Sequence, residues 1–438
     1  MTRARAAAIA PWATAATLTA LWLAAFWPGA LGFDAAYQWW QARGGETTNI
    51  HGIGMTWAWR AADAAGGPGT LFAAEIALWF VALAAIAGAL PLGAIGRAAC
   101  VLGIGLAPVC AVLFFGVLSD AWLVAVLALV VALSLTPARW SRRRTCGVIL
   151  LLLIALLLRK NALPAVVPLL VLALQRASAW PWRRVWLPAA AASAVLFALA
   201  TLADRTVDRR VAVWPATALW DLAAISLDEH TLLLPPASHG AGLDLDDLAQ
   251  AFTPYANTPL FARTRAGVVQ PFLEPGGTLD RAVGAAWRDA MLQHPQAYLA
   301  HRWRVSAALF GSKAPEWPHE LVYIDGVVPY ADNPPLAANR SALHGAAIAF
   351  CQAAWAGALF AAWPYVVLAL FALGVAWRRR TLPQAQTALA VLASGLCYAA
   401  PLPLIAPSAE LRYLGWTCAA ALIGALLAAT SRLAEKMH

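Results

Sequence analysis

Residues 33–52, which read FDAAYQWWQARGGETTNIHG, place reactive side chains directly after the first hydrophobic run of the chain. Asp34, Gln38 and His51 stand there among aromatic and alanine residues. A carboxylate can take a proton from a hydroxyl group, and an imidazole or an amide can orient the reacting partner. Polar groups beside a membrane-like segment are costly, so their presence marks a candidate site.

Other junctions between hydrophobic runs and loops carry ionisable groups of the same kind. They are Asp120 in GVLSDAW, the Arg159-Lys160-Asn161 turn in LLLRKNALP, and Glu410, Arg412 and Tyr413 in SAELRY. On the topology predicted below, all of them share one membrane surface with Asp34. Such a site suits a lipid phosphate, with its chain in the bilayer, its anionic head against Arg and Lys, and its reacting carbon near a carboxylate.

Each candidate also has a purely structural interpretation. Asp34 could cap a helix over residues 35–42, and the aromatic residues around it could form an interfacial belt. His51 has no ligand partner at metal spacing, so a hydrogen-bonded structural histidine is an equal alternative. Asp120 could pair with a basic neighbour, and Glu410 could neutralise Arg412. Arg159 and Lys160 favour a dedicated anionic partner, because basic residues are rare on their side of the membrane.

The elements that must position these residues are hydrophobic helices. Of the 438 residues, 61% are hydrophobic and 12% are charged, whereas soluble proteins are roughly half apolar and about a quarter charged. Runs that approach the length of a bilayer span cover 8–27, 70–92, 97–116, 119–136, 146–158, 162–175, 186–203, 344–376, 384–403 and 413–431. The sequence predicts an all-α polytopic membrane protein with about ten transmembrane helices. The runs 146–158 and 162–175 are either two crossings or one re-entrant pair.

Basic residues are unevenly distributed between the two sides of these spans. One side carries Arg3, Arg5, Arg97, Arg139, Arg142, Arg143, Arg144, Arg176, Arg183, Arg184, Arg378, Arg379, Arg380, Arg432 and Lys436. The short loops of the other side carry only Arg43, Arg60, Arg159, Lys160 and Arg412. The positive-inside rule makes the first side cytoplasmic, with both termini there, and the first run an uncleaved anchor. The net charge of +9 therefore reflects topology and does not indicate a nucleic-acid partner.

This topology divides the chain into three parts. Residues 1–203 form an N-terminal transmembrane region, whose first outer loop (28–69) carries the candidate site, and residues 344–438 form the C-terminal transmembrane helices. Residues 204–343 form a large outer segment of helices and loops that holds 15 of the 22 acidic residues and is long enough for a small domain. The cysteines lie outside that segment, so no disulfide framework is expected. No paired Cys/His spacing indicates a zinc site.

In their order along the chain, these stretches resemble bacterial polytopic glycosyltransferases of the GT-C fold that use polyprenyl-phosphate sugars, as family 39 does. FDAAYQWWQA (33–42) is similar to the family pattern F-D-S-x-x-Q-W-x-Q-A, and NIHGI (49–53) matches D-x-H-P-P only at His51. GVLSDAW, RKNALPAVVPLL (159–170) and Arg412-Tyr413-Leu414 are similar to later family segments. Many members have two adjacent acids in the first loop, whereas Ala35 follows Asp34 here.

The resemblance implies a GT-C-like bundle of transmembrane helices with a periplasmic insertion, in the bacterial inner membrane, with the site on the periplasmic side. Asp34 would be the general base, and Asp120 is the candidate second carboxylate. Substrate binding would fall to Gln38, His51, Arg159, Lys160, Asn161, Arg412 and Tyr413. The donor would be a polyprenyl-phosphate-linked sugar, and the acceptor an envelope glycan, lipid or protein. Part of the family uses a divalent cation, which leaves Mg²⁺ or Mn²⁺ open as a cofactor.

Two other classes of function remain open at this stage. A transporter or flippase of lipid-linked intermediates would have ionisable residues deep in its spans, and Glu75 is the main residue of that kind here. It would also have an inverted repeat between its halves, which the single large outer segment does not suggest. A non-catalytic membrane protein of envelope assembly would account for the missing second acid.

Overall fold

The computed structural model describes residues 3–135, 140–269 and 271–435. Within these ranges the regular elements are helices, joined by loops with isolated β-bridges, which confirms the all-helical prediction. The N-terminal region contains α1 (Arg3–Phe26), α2 (Phe33–Ala42), α3 (Ile53–Ala64), α4 (Pro68–Ala89), α5 (Ala94–Gly105), α6 (Pro108–Ala111), α7 (Ser119–Ser134), α8 (Arg142–Leu158), α9 (Leu163–Ser178) and α10 (Trp182–Ala203).

The remaining helices belong to the large outer segment and the C-terminal region. The segment contains α11 (Pro215–Asp228), α12 (Leu245–Ala251), α13 (Thr258–Arg263), α14 (Thr278–Gln293) and α15 (Pro295–Phe310). The C-terminal region contains α16 (Ala342–Ala354), α17 (Trp363–Arg378), α18 (Pro383–Ala399), α19 (Leu402–Ile405) and α20 (Gly415–Glu435). Shorter 3₁₀ turns include residues 160–162 and 411–414.

Six helical segments of the described chain are long and apolar enough to cross a membrane: Ala4–Phe26, Pro68–Ala89, Lys160–Ser178, Trp182–Thr206, Pro383–Ile405 and Leu411–Leu433. The pair α5 and α6 makes a seventh if a span bent by 62° is counted as one. A membrane location follows from these lengths and compositions. α7, α16 and α17 are apolar but shorter, so the predicted number of ten spans stays a prediction.

The single span predicted over residues 344–376 is wrong, because the structure divides it into α16 and α17. Between them Gly357 is extended and Pro364 stands in the first turn of α17. Proline is favoured in a first helical turn and disfavoured in a helix interior, so it begins a new helix there. Pro108 has the same effect at the start of α6, within the predicted run 97–116.

Hydrogen bonds between helix ends identify a basic end of the bundle. The guanidinium groups of Arg97, Arg176 and Arg379 donate to the carbonyl oxygens of Ala7, Pro383 and Ala428, at 3.1, 2.7 and 2.7 Å. α7 and α9 begin at the opposite end, at Ser119 and Leu163, and reach the basic end at their C-termini. Arg139 and Lys436, which the sequence predicts for the same end, lie outside the described residues.

At the opposite end, a short extended segment positions α2. The backbone N–H of Ala30 donates to Phe115, and that of Val117 donates to Ala30. The backbone N–H of Leu31 donates to Gly326, in the large outer segment. Gly116 is required here, because a Cβ atom at this position would lie 2.1 Å from the carbonyl oxygen of Ala30. The first outer loop is therefore held between the N-terminal bundle and the outer segment.

The large outer segment packs on the end of the bundle opposite the basic residues. The backbone N–H of Ala409 donates to Tyr255 at 2.7 Å, and that of Asn257 donates to Pro407 at 3.2 Å. Asp208 accepts from both the backbone N–H and the hydroxyl of Thr47. These contacts join the segment to the first outer loop and to the loop before α20, and both of those loops carry candidate site residues.

Candidate active site

A cavity of about 660 Å³ lies at this end of the molecule, between the bundle and the large outer segment. The four junctions singled out in the sequence all contribute to its lining: Asp34, His51, Ser119, Arg159, Lys160, Asn161, Glu410, Arg412 and Tyr413. The outer segment adds an apolar wall that includes Trp214, Phe261 and Phe272. The cavity thus combines charged groups with an apolar surface, which is the usual composition of a small-molecule site.

Asp34 lies in the first turn of α2, with its side chain 32% exposed. α2 begins at Phe33, and Gly32 is its N-cap residue without a side-chain cap, so Asp34 is not the cap that the structural alternative proposed. Its carboxylate instead accepts a hydrogen bond from Arg412 Nη1 at 2.7 Å, and His51 Nε2 lies 3.8 Å from its other oxygen. The carboxylate is oriented by two neighbours and still reaches the cavity.

The charge states of Asp34 and His51 follow from this arrangement. Burial favours the neutral acid, but the positive charge of Arg412 outweighs it and holds the pKa of Asp34 below its ordinary value. Burial, with the nearby Arg159 and Arg412, lowers the pKa of His51 to about 4, although Asp34 opposes this shift. At neutral pH Asp34 is therefore an anion beside a neutral imidazole, which can both donate and accept hydrogen bonds.

Arg412 bridges two carboxylates at the cavity wall. In addition to its bond to Asp34, its Nε atom lies 2.5 Å from Glu410 Oε2, and its guanidinium lies 5.3 Å from the ring of Tyr413. Glu410 also accepts a hydrogen bond from Ser408. Glu410 therefore lines the cavity as a second carboxylate beside Asp34. Its place in SAELRY marked it as one of the ionisable groups at the membrane junctions, but the sequence predicted no catalytic or binding role for it.

Asp120 does not line the cavity, because it is 1% exposed and lies behind Arg159. Arg159 Nη1 donates to both Asp120 Oδ2 and Ser119 Oγ at 2.9 Å. Its Nε donates to Asn161 at 3.4 Å. Asp120 is therefore not positioned to act as the second catalytic carboxylate that the sequence predicts. α7 directs its side chain into the bundle, where it orients Arg159. Ser119, its neighbour in the sequence, reaches the cavity lining.

Lys160 contributes the most exposed cation of the cavity, with 31% of its side chain exposed. Its ammonium group pairs with Asp204, and the other oxygen of Asp204 accepts the backbone N–H of Ile53 at 3.2 Å. Asp204 is buried at the end of α10. It therefore joins the Lys160 turn to the start of α3 and holds the ammonium at the cavity edge.

Gln38, which the sequence predicts to bind substrate, is also kept away from the cavity. It is buried between α2 and α3, where its side-chain oxygen accepts a hydrogen bond from Trp59 at 3.2 Å. Gln41 and Tyr37 on the same helix bond to Thr48. The polar residues that follow Asp34 in α2 therefore hold the first outer loop together.

The residues at the site do not fit a divalent cation. Within the described ranges, no group of three or more His, Cys, Asp or Glu residues could hold a metal ion. Asp34 and Glu410, the two carboxylates that line the cavity, are both engaged by the guanidinium of Arg412. That guanidinium occupies the position between two carboxylates where a metal ion would otherwise neutralise their charge.

The cations of the cavity retain hydrogen-bonding capacity despite their ion pairs. Arg159, Lys160 and Arg412 are balanced by Asp34, Asp120, Asp204 and Glu410. A guanidinium carries five N–H donors and an ammonium three, so one or two carboxylate contacts leave donors for a ligand. The site can therefore offer charged N–H groups to an anion while a nearby ionised carboxylate accepts a proton.

No family model, curated protein or solved structure matches this chain.

Proposed function

We propose that the chain is an integral membrane glycosyltransferase that moves a sugar from a polyprenyl-phosphate-linked donor to an envelope glycan, lipid or protein. In this proposal it has a GT-C-like bundle of about ten spans in the bacterial inner membrane. The cavity opens to the periplasm, and both termini are cytoplasmic.

The observation that carries the proposal is the position of the Asp34 carboxylate in the 660 Å³ cavity. It shares this cavity with Arg159, Lys160 and Arg412, at the end of the bundle opposite the basic helix ends. A lipid-phosphate donor requires cationic donors for its phosphate and a base near its reacting carbon. The positive-inside rule supports a cytoplasmic basic end and hence a periplasmic cavity.

The proposed reaction is a direct displacement at the anomeric carbon of the sugar. The acceptor hydroxyl oxygen forms a bond to that carbon while the bond from the carbon to the phosphate oxygen breaks, which inverts the configuration. Asp34 takes the hydroxyl proton as its oxygen attacks, in the role of general base. The electron pair of the broken bond leaves with the polyprenyl phosphate, whose added charge Arg159 and Lys160 stabilise. His51 and Tyr413 orient the sugar and the acceptor from the cavity wall.

The ion pairs of the cavity assign separate tasks to these residues. Arg412 keeps Asp34 ionised, which ensures that a proton acceptor is present at neutral pH. The low pKa of Asp34 also makes it a weak base, so proton transfer is favourable only late in the displacement, when the hydroxyl has become acidic. Lys160 is the most exposed cation and can turn from Asp204 toward an entering phosphate.

The proposal is tested by mass profiling of envelope glycans from the source strain without this gene, complemented with wild type or Asp34→Asn at matched protein levels. Wild type should restore a discrete sugar mass that the deletion removes, and Asp34→Asn should not. Asp63→Asn is the matched control, because Asp63 lies on the same outer loop, outside the cavity lining, and its carboxylate accepts only from Trp39 Nε1 in the described contacts. Equal restoration by Asp34→Asn would remove Asp34 from the role of base.

The same complementation separates transfer from lipid transport. Glu75 is fully buried in α4, within a candidate span, and buried acids in spans are typical of transport pathways. A transporter should lose function in Glu75→Gln and keep it in Asp34→Asn. A transferase should instead lose function in Asp34→Asn. Full restoration by both variants would favour a non-catalytic role in envelope assembly.

A further inference from the structure

The helix α15, which carries the stretch HPQAYLAHRWRV (294–305), has an unusual distribution of polar and apolar residues. Its inner face contains His301 and Arg302, both buried. Its outer face contains Leu299, 58% exposed, and Trp303, 74% exposed, one helical turn apart. A helix on the surface of a soluble domain places its apolar residues inward and its charged residues outward. α15 departs from this arrangement, because its inner face carries His301 and Arg302 beside the buried Val305 and Leu309, and Leu299 and Trp303 face outward.

The inner face of α15 packs into a buried polar cluster. Asp221 of α11 accepts hydrogen bonds from Arg302 Nη2 at 2.6 Å and from Trp287 Nε1 at 2.9 Å, and His301 Nε2 lies 3.3 Å from its other oxygen. The ring of Trp220 lies edge to face against His301. The charges are paired within the protein, so they fix which face of α15 is turned inward and leave Leu299 and Trp303 outside.

α15 is joined to the ends of helices in the C-terminal bundle. Arg302 Nη1 donates to the carbonyl oxygen of Ala406 at 2.9 Å, directly after the candidate span Pro383–Ile405. The carbonyl oxygen of Phe310 at its C-terminus accepts the backbone N–H of Ala362, directly before α17, at 2.9 Å. α15 therefore lies at the level where α17 begins and where α19, with the candidate span Pro383–Ile405, ends.

The neighbouring helix ends also carry exposed apolar residues. Leu404 and Ile405 of α19 and Trp363 of α17 are all more than half exposed. Leu292, at the end of α14, is 74% exposed. Because α15 is hydrogen-bonded directly after a candidate span, exposed apolar residues on both require a covering at the same level. The lipid that covers the span is the simplest such covering.

We propose that the outer face of α15, formed by Leu299 and Trp303, is embedded in the interfacial region of the lipid bilayer. The large outer segment is then anchored to the membrane surface along α15 and does not stand free of it. Trp303 would lie at headgroup level, as interfacial tryptophans do, with the partly exposed Arg304 beside it in contact with lipid phosphates. This proposal rests on the packing of α15 and does not depend on the reaction proposed above.

The test is photo-crosslinking of the full-length protein in nanodiscs of phosphatidylethanolamine and phosphatidylglycerol. A benzophenone amino acid replaces Trp303 or, in a second variant, Leu299, and mass spectrometry measures lipid adducts after irradiation. Ala249 of α12, exposed and next to the acidic residues of that helix, is the control position. Lipid adducts should be several-fold more abundant at both test positions than at 249. Equal yields at all three, or crosslinks mainly to a second copy of the chain, would overturn the proposal.

Discussion

At the residue scale, the site depends on how Arg412 and His51 act on one carboxylate. Arg412 keeps Asp34 ionised by a 2.7 Å hydrogen bond, while burial lowers the pKa of His51 to about 4 and keeps its imidazole neutral. A protonated His51 would compete with the acceptor hydroxyl for the carboxylate. The neutral imidazole leaves Asp34 free to accept a proton, so the electrostatics of burial and the proposed chemistry agree.

The first prediction concerns pH-dependent stability. In the unfolded chain His51 titrates near its ordinary value of 6.5, but in the folded protein near 4. Between these pH values the unfolded chain binds a proton that the folded protein does not, so the free energy of unfolding should decrease as pH falls through this window. The slope is at most about 1.4 kcal/mol per pH unit.

This pH dependence is checked by thermal unfolding of wild type and His51→Gln in detergent. The melting temperatures are measured at several pH values between neutral and mildly acidic. The variant lacks the group, so its melting temperature should fall less steeply with pH than that of wild type. Other titrating groups, including His301, are common to both proteins and cancel in the difference. Parallel curves for the two proteins would contradict the assigned ionisation of His51.

The second prediction concerns the buried pair of Arg159 and Asp120. Arg159→Gln should destabilise the protein by about 3–5 kcal/mol, because the Asp120 carboxylate would remain buried without its cation. Asp120→Asn in the same chain should restore much of that stability, since the neutral pair has no buried charge. Thermal unfolding of the two single variants and the double variant measures the coupling. Equal instability of Arg159→Gln and the double variant would contradict the ion pair.

The residues of the site show what the sequence could and could not predict. The ionisable groups at membrane junctions were detectable, because charge beside apolar runs is a local feature of the sequence. The direction of each side chain was not: Asp120 faces the bundle although its neighbour Ser119 lines the cavity, and Gln38, one helical turn after Asp34, faces α3. Glu410 was visible in the sequence, but only the fold shows that it and Asp34 share Arg412.

At the element scale, the first outer loop and the end of α8 are brought into contact by a glycine. A Cβ atom at Gly52 would lie 2.0 Å from the carbonyl oxygen of Leu157, two residues before Arg159. This close approach is what places His51 and Arg159 on the same cavity wall. The backbone of α8 cannot move aside at low cost, because Arg159 is held by Ser119 and Asp120.

The third prediction follows from this contact. Gly52→Ala should lower both the melting temperature and sugar transfer, since the added methyl group must displace the backbone of α8 or of the loop. Gly326→Ala is the matched control, because a Cβ atom there meets nothing within 4 Å in the same half of the molecule. Melting temperature and complementation of the deletion strain provide the measurements. A Gly52→Ala protein indistinguishable from wild type would contradict the close packing.

The helices themselves were largely predictable, and the contacts between distant segments were not. Apolar length is a local property, so the predicted runs correspond to helices. The length of an apolar stretch does not reveal a break inside it, so the sequence did not predict the division between α16 and α17. The pairing of residues 255–257 with 407–409 joins segments far apart in the chain, and no periodicity in either segment indicates it.

At the scale of the whole molecule, the protein has two chemically different ends. Arginines bond helix ends together at one of them, and the cavity and the large outer segment lie at the other. In the proposed function, the positive-inside rule would give this polarity a direction, with the basic end in the cytoplasm and the meeting of donor and acceptor outside it.

The fourth prediction tests that orientation. Green fluorescent protein fused to the C-terminus should fluoresce, because the basic end is expected to be cytoplasmic. Alkaline phosphatase inserted after Gly276, in the turn before α14, should be active, because the outer segment is expected to be periplasmic. The reverse pattern of reporter activities would place the cavity in the cytoplasm and contradict the proposed topology.

The most direct test of glycosyl transfer is consumption of the lipid donor. Membranes from the deletion strain should contain the unused polyprenyl-phosphate sugar, and mass spectrometry of their lipids can follow it after purified protein is added. Wild-type protein should consume the donor and release an equal amount of polyprenyl phosphate, whereas Asp34→Asn should leave the donor unchanged. A donor pool that wild type does not alter, or that Asp34→Asn consumes at the same rate, would contradict transfer with Asp34 as its base.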